Sequence, residues 1–549
     1  MKHGYSLLFK DSAIYGIGST VQKFLMVFLM PLYTAFLTPA QYGVVGMVNV
    51  TSQFVYVFIN LGMDTAAARF YFDNKGEEHR RRVIGTTFLA WTVYPAIFLG
   101  IMVALMPQIT NALMGGGGYT YYFDIGMLNI FFSNWISLPY MLMRLEHRPV
   151  IFTFFTIGRI VIQVVASVIM VVVLHWGIYG VLAGTLVSST IMNFAALPTY
   201  WRKMSLKIDP LLVRAMLAMA IPALITGSIF FFLKLSDRWI IMRYPQWGKA
   251  EVGLYTAAFQ LSQPVYVVMT AFNMAWPQWH YSRLSNPVEH KQLVARSGTY
   301  FIALCVFILA AMAAVMPLMI RILLHSPSYW SVGPTTLILT LANVLYCLYY
   351  VLWVGCNVAK KNRRIPFITA IASAANIALN FALIPRYGMV AAAWTTVLGF
   401  AILSAGVYVL SQKYYPIKYE WARFVKIAVA GGVAIAGAWG MSRLVGLRVD
   451  LPFVQILVRE LAVAPTLLLF PFALLATRFF TPGERRALGA GAKRLLRRGG
   501  PPEAPLIGAA SAEHPADELS CDDVEAEQEE LEIEADTRLE VSQGDQPGV

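Results

Sequence analysis

Residues 41–57 read QYGVVGMVNVTSQFVYV, and residues 251–267 read EVGLYTAAFQLSQPVYV. At an offset of 210, Gly43, Ser52, Gln53, Val55, Tyr56 and Val57 recur as Gly253, Ser262, Gln263, Val265, Tyr266 and Val267. A second pair, HWGIYGVLAGTLV (175–187) and RYGMVAAAWTTVL (386–398), aligns at an offset of 211. Two separated matches at nearly one offset indicate an internal duplication. The repeat unit covers six apolar spans. An even number preserves orientation, so the copies should be parallel repeats about an axis along the membrane normal.

The surrounding composition supports spans. The chain has 549 residues, of which 58% are hydrophobic and 13% charged, against roughly 25% charged in soluble domains. Apolar runs of the roughly 20 residues needed to cross a bilayer recur almost end to end. The expected fold is an all-α polytopic membrane protein with about 14 transmembrane helices. Two parallel six-helix lobes, 1–208 and 209–415, would be followed by an extra helix pair, 416–480. Next comes a basic juxtamembrane segment, 481–498, suited to an anionic leaflet surface. The last segment, 499–549, has fifteen acidic residues and one basic one, few large apolar residues and no aromatics. That composition predicts a disordered tail.

Without the tail, the chain carries 42 basic and 15 acidic residues. The excess does not point to nucleic acid, because it is spread over alternate loops. DNKGEEHRRR (73–82), RLEHR (144–148), WRKMSLK (201–207), KKNRR (360–364) and QKYYPIK (412–418) are basic. LTPAQYG (37–43), PQITNALMGGGG (107–118) and HWGIYG (175–180) are not. The positive-inside rule places the basic set, and both termini, in the cytoplasm. The amino-terminal stretch lacks a small-residue cleavage site and reads as an uncleaved helix. The loops are too short to form a catalytic domain, so no enzyme activity is expected. No Gly-x-x-x-x-Gly-Lys loop occurs, and the eight His residues show no metal-ligand spacing. Neither a metal nor a cofactor is expected. Of the four Cys residues, three lie in apolar spans, which is no disulfide framework.

A transporter plan places the substrate path between the lobes, so ionisable residues at membrane depth are the candidate site. Lys23 lies mid-span in 13–37, and Arg159 lies near the centre of 150–174. An intramembrane excess of cations suits a phosphate-bearing substrate. Asp64 is a possible coupling group or counter-ion, and Arg69 a cation at the inner mouth. FFLKLSDRWIIM (231–242) places Lys234, Asp237 and Arg238 on one helix face. The nineteen apolar residues before it put this cluster at the outer edge of the span. There Lys234 and Arg238 are candidate cavity cations at the outer lip, and Asp237 is a possible coupling group or counter-ion that could pair with Lys234. Arg238 could also reach lipid headgroups, and a bend at Pro222 could draw the cluster inward. Gln53, Asn60 and Gln263 are possible sugar contacts, although amides in spans also serve as interhelical glue.

PLYTAFLTPAQYGVVGM (31–47), LSDRWIIMRYPQWGKAEVGLYTAAFQLS (235–262) and NIALNFALIPRYGMVAAAWTTVLGF (376–400) resemble the O-antigen type polysaccharide flippases of the multidrug/oligosaccharidyl-lipid/polysaccharide (MOP) exporter superfamily. The resemblance spans roughly residues 7–412. It implies a central cavity between the lobes and alternating access. It also implies flipping of a polyprenyl-diphosphate-linked oligosaccharide from the inner to the outer leaflet of the bacterial plasma membrane, driven by an ion gradient. Cavity cations would hold the diphosphate, with Lys23 the best fit in the first helix. Implied partners are the lipid-linked glycan, membrane lipids and a polysaccharide polymerase or export complex. Alternatives are a cation-coupled multidrug exporter of the same superfamily and a membrane-embedded polymerase or glycosyltransferase. The first should favour intramembrane acids, and the second needs a long outer loop.

Overall fold

The computed structural model describes residues 29–73, 76–205, 209–445 and 461–481, together with Glu484. Lys23 lies outside the described residues. The described residues up to Phe479 form one compact unit. Among the described residues this unit is wholly helical. Nine helices among the described residues are long and apolar enough to cross a membrane.

In the first half of the chain the helices are α1 (Pro39–Asn60), α2 (Met63–Asp73), α3 (Glu77–Met114), α4 (Thr120–Trp135), α5 (Ser137–Leu145), α6 (Pro149–Val168) and α7 (Gly177–Trp201). The second half holds α8 (Pro210–Leu235), α9 (Asp237–Arg243), α10 (Gly248–Leu261), α11 (Pro264–Tyr281), α12 (Pro287–Leu323), α13 (Gly333–Val358) and α14 (Ile365–Tyr414). Last come α15 (Trp421–Val445) and α16 (Leu469–Ala476), which pack together and against α12.

Nine candidates do not confirm a count near fourteen, and the local chemistry shows why. Pro264 has no N–H to continue a helix, so the second repeat breaks between α10 and α11. Phe54 occupies the matching place in the first repeat, and α1 runs on to Asn60. Conversely, α14 contains two spans. Gly388 has φ 57° and ψ −137°, a conformation open essentially to glycine. Asn380 and Thr395 are hydrogen-bonded, whereas fifteen residues of straight helix would cover about 22 Å. The chain therefore reverses at Gly388. The segment between α9 and α10 caps both arms of this reversal. Trp247 Nε1 donates to Ile384 O (2.9 Å) and Gln246 Nε2 to Pro385 O (3.1 Å). Glu251 Oε1 accepts from Met389 N (2.9 Å), placing an anion at the positive end of the outgoing arm.

The two repeats meet at α1 and α10. A β-carbon on Gly43 would lie 1.9 Å from Lys249 O, and one on Gly253 would lie 1.9 Å from Pro39 O. A β-carbon on Gly46 would lie 2.5 Å from Thr256 Oγ1. Residues equivalent by the sequence repeat thus face each other, as at a two-fold axis.

Candidate functional site

The end of the molecule whose loops are poor in Lys and Arg is stitched between the halves. Tyr329 OH donates to Leu37 O (2.9 Å), and the ring of Tyr329 meets that of Tyr42 edge-on at 6.1 Å. Thr34 Oγ1 donates to Leu323 O (3.2 Å) and accepts from His325 N (3.2 Å). Lys249 Nζ donates to Tyr119 OH (2.5 Å) and sits 4.1 Å from that ring's centroid. Deeper in, Trp239 Nε1 donates to Thr51 Oγ1 (3.2 Å). Together with the glycine crossing of α1 and α10, these contacts close that end. Toward the basic end, Asp209 N, at the junction itself, donates to Thr86 Oγ1 (3.3 Å), and Met216 and Ala220 of α8 pack with Met63, Ala66 and Trp91 of the first half.

Asp237 lies deeper than expected. Its side chain is fully buried, at the break between α8 and α9. Tyr255 OH donates to Oδ2 (2.6 Å), Thr396 Oγ1 to Oδ2 (3.0 Å) and Asn380 Nδ2 to Oδ1 (2.8 Å). Asn380 Nδ2 also lies 3.1 Å from Asn376 Oδ1, and Thr395 donates to Asn380 Oδ1. Asn380 and Thr396 each stand eight residues from Gly388, or about 12 Å of helix from the reversal. The network is therefore within the span.

This corrects the placement at the outer edge. Arg238 is 2% exposed and does not reach headgroups. Its guanidinium lies 4.4 Å from the Phe259 centroid and 5.2 Å from that of Tyr255. The physical reason is the break at Ser236, whose Oγ donates to Phe232 O (2.5 Å). It lets α9 pack onto α10 and α14. Lys234 is one turn deeper, with Nζ 3.9 Å from the centroid of Tyr266 and 5.4 Å from that of Tyr346.

In the first half, Arg159 is partly buried near the middle of α6. Its Nη2 donates to Ser133 Oγ (3.1 Å) and Ser189 Oγ (3.0 Å). Ser189 Oγ in turn donates to Asn129 Oδ1 (2.9 Å). No carboxylate among the described residues pairs with Arg159. Tyr56 OH lies 3.3 Å from Ser137 Oγ and accepts from Asn60 Nδ2 (3.2 Å). On α1, Asn49 and Gln53 are exposed although most of the helix is buried. Amides in a span face water or protein in preference to hydrocarbon. Gln263 Nε2 donates to Phe259 O (3.0 Å), which makes it a brace across the α10–α11 break. Arg69 is exposed in the last turns of α2. Asp64 lies in the same helix, and its side chain is outside the described residues.

The structure gathers Asp237 with residues not singled out from the sequence: Tyr255, Asn376, Asn380, Thr395 and Thr396. Arg159 and Asp237 occupy separate polar clusters, one in each half. Metal-type clusters of three or more His, Cys, Asp or Glu are absent among the described residues.

These features define a multi-pass helical membrane protein with the fold of the MOP superfamily. The structure titled "Lipid II flippase MurJ, inward closed conformation" matches with a TM-score of 0.66 at 15% identity, covering 85% of this chain and 99% of that one. Outward-facing and inward-facing multidrug resistance MATE family transporters of the MOP superfamily match with TM-scores of 0.55 and 0.54. Their identities are 13% and 12%, covering 74% and 73% of this chain and 95% and 94% of theirs. A family model described as polysaccharide biosynthesis protein matches residues 33–332, and the chain belongs to that family. No protein of curated function matches the sequence.

Proposed function

We propose that this protein is an alternating-access flippase that carries a polyprenyl-diphosphate-linked oligosaccharide from the inner to the outer leaflet of a bacterial plasma membrane. The observation that carries the reading is the closure between the halves at the end with few basic residues. A mobile joint is expected there if the halves, taken as six-helix lobes, rock about the α1–α10 crossing. By the charge rule the closed end faces outward, with both termini in the cytoplasm. A diphosphate headgroup cannot cross hydrocarbon unaided, because burying its charge is prohibitive. Arg159, Lys234 and, from the sequence, Lys23 supply cations at depth, and Arg69 supplies one near the inner mouth. The exposed amides on α1, Gln53 among them, suit sugar hydroxyls.

Asp237 is the assigned coupling group. A buried carboxylate whose partners are neutral hydroxyl and amide groups suits the uptake and release of a proton. Membrane potential contributes about 2.3 kcal/mol per charge per 100 mV, enough to bias a two-state cycle. A polymerase or export complex is the proposed downstream partner.

Deletion of the gene tests the reading. Lipid-linked oligosaccharide should accumulate on the inner leaflet, and surface polymer should fall. Normal polymer with altered drug resistance would overturn it in favour of a multidrug exporter. Lys23→Ala should abolish export at normal protein level, and Lys23→Arg should retain part.

A further inference from the structure

The first three basic loops read from the sequence only as topology signals. The structure brings one cation from each into a single cavity of about 510 Å³ at the basic end of the first half. Arg80 comes from 73–82, Arg148 from 144–148 and Lys203 from 201–207. Glu146 is the one carboxylate in the lining, and it is already engaged: it accepts from Lys203 Nζ (2.5 Å) and forms an ion pair with Arg148, Nε to Oε2 3.1 Å. The lining thus keeps two positive charges in excess, counting His147 as neutral.

Two further observations call for an anion. The Arg80 guanidinium lies 5.1 Å from the Tyr71 centroid, and its Nε is shut off from water with no hydrogen-bond acceptor among the described residues. A buried charged donor left without an acceptor is costly. Arg148 is also the N-cap of the twenty-residue α6, which has no side-chain cap and no acid in its first turn. A cation at the positive end of a helix is unfavourable by itself. An anion bound there would answer both.

We propose that this cavity binds the phosphate headgroup of an anionic membrane lipid. Phe72 lines it and is 56% exposed, and Trp201, 49% exposed, ends α7 two residues before Lys203. Exposed aromatics at a span end mark the membrane–water interface. They suit a glycerophospholipid, whereas a hydrated free phosphate gains nothing from them. The assignment to the inner leaflet rests on the orientation proposed above, and the cavity's chemistry does not.

The test uses the full chain purified into phosphatidylcholine nanodiscs, with or without phosphatidylglycerol, and native mass spectrometry to count retained lipid. Wild type should retain phosphatidylglycerol over phosphatidylcholine. Arg80→Gln and Arg148→Gln should each weaken retention about fivefold, the effect of roughly one surface cation, and Arg80→Lys should keep most of it. Arg148 is 53% exposed, so its variant tests the site even if Arg80→Gln misfolds. Equal retention by wild type and Arg148→Gln would overturn the proposal. So would inorganic phosphate raising the melting temperature as much as phosphatidylglycerol does, since the anion would then be a soluble one. Lipid retention is read without transport, so a chain that exports nothing still gives an answer.

Discussion

Asp237 and Asn380 are 143 residues apart in sequence, yet the Asn380 amide donates to the Asp237 carboxylate at 2.8 Å. The bond ties the start of α9 to the incoming arm of α14, and Thr396 ties it to the outgoing arm. Asp237→Asn keeps the shape and removes the charge. Export, measured as surface polymer, should fall about tenfold or more, the scale of a coupling energy, with protein level retained. Normal export by Asp237→Asn would remove this residue from the coupling role.

Arg159 separates function from packing in a different way. Its hydroxyl partners also bond to one another (3.4 Å) and to Asn129, so Arg159→Met should orphan little and leave thermal stability nearly unchanged. Export should nevertheless drop about tenfold, with Arg159→Lys intermediate, because a lysine keeps the charge without the fork. A large loss of melting temperature with full export at permissive temperature would mark Arg159 as structural.

Tyr329 is wholly buried, and its hydroxyl bridges the halves at Leu37 O. Tyr329→Phe leaves that carbonyl without its donor, at a cost of about 1–2 kcal/mol to the closed state. Hydrogen exchange over residues 37–45 should accelerate in reconstituted protein. Unchanged exchange there would show that the bond does not hold the closed end.

Gly43→Ala should act more strongly, because its β-carbon would overlap a backbone carbonyl that no rotamer change can move. The halves must separate at that end. Spin labels at Tyr121 and Ala250, both exposed, should report a longer distance. A shift of about 1.4 kcal/mol would change the open-to-closed ratio tenfold. An unchanged distance in a folded variant would refute a gate at this crossing.

The fold was legible where it depends on composition and period. Apolar runs gave the helical class, and Gly43, Ser52 and Gln53 against Gly253, Ser262 and Gln263 gave the repeat. A count near fourteen is not confirmed by the nine candidates among the described residues, where Pro264 and Ser236 split helices and Gly388 turns the chain between two spans. Of the site, Asp237 and Arg159 were visible as ionisable residues among apolar ones. Asn376, Asn380, Thr395 and Thr396 were not, since neutral residues in a span read equally as helix glue. Their spacing by four and by one offered a weak signal, but their partner lies in another helix. Arg238 lies deeper than the count of apolar residues before it indicates, because the helix breaks at Ser236.

The meeting of Gly43 with Gly253 also bears on how a duplicated gene can diverge. After duplication most paired positions are free to differ, because a larger residue in one copy can be matched by a smaller one in the other. Here each glycine abuts the other repeat's backbone: a β-carbon on Gly253 would lie 2.9 Å from Gly43 N. Neither side has a side chain left to surrender, so a change at one cannot be repaired at the other. A larger residue at either position would have to push the two helices apart.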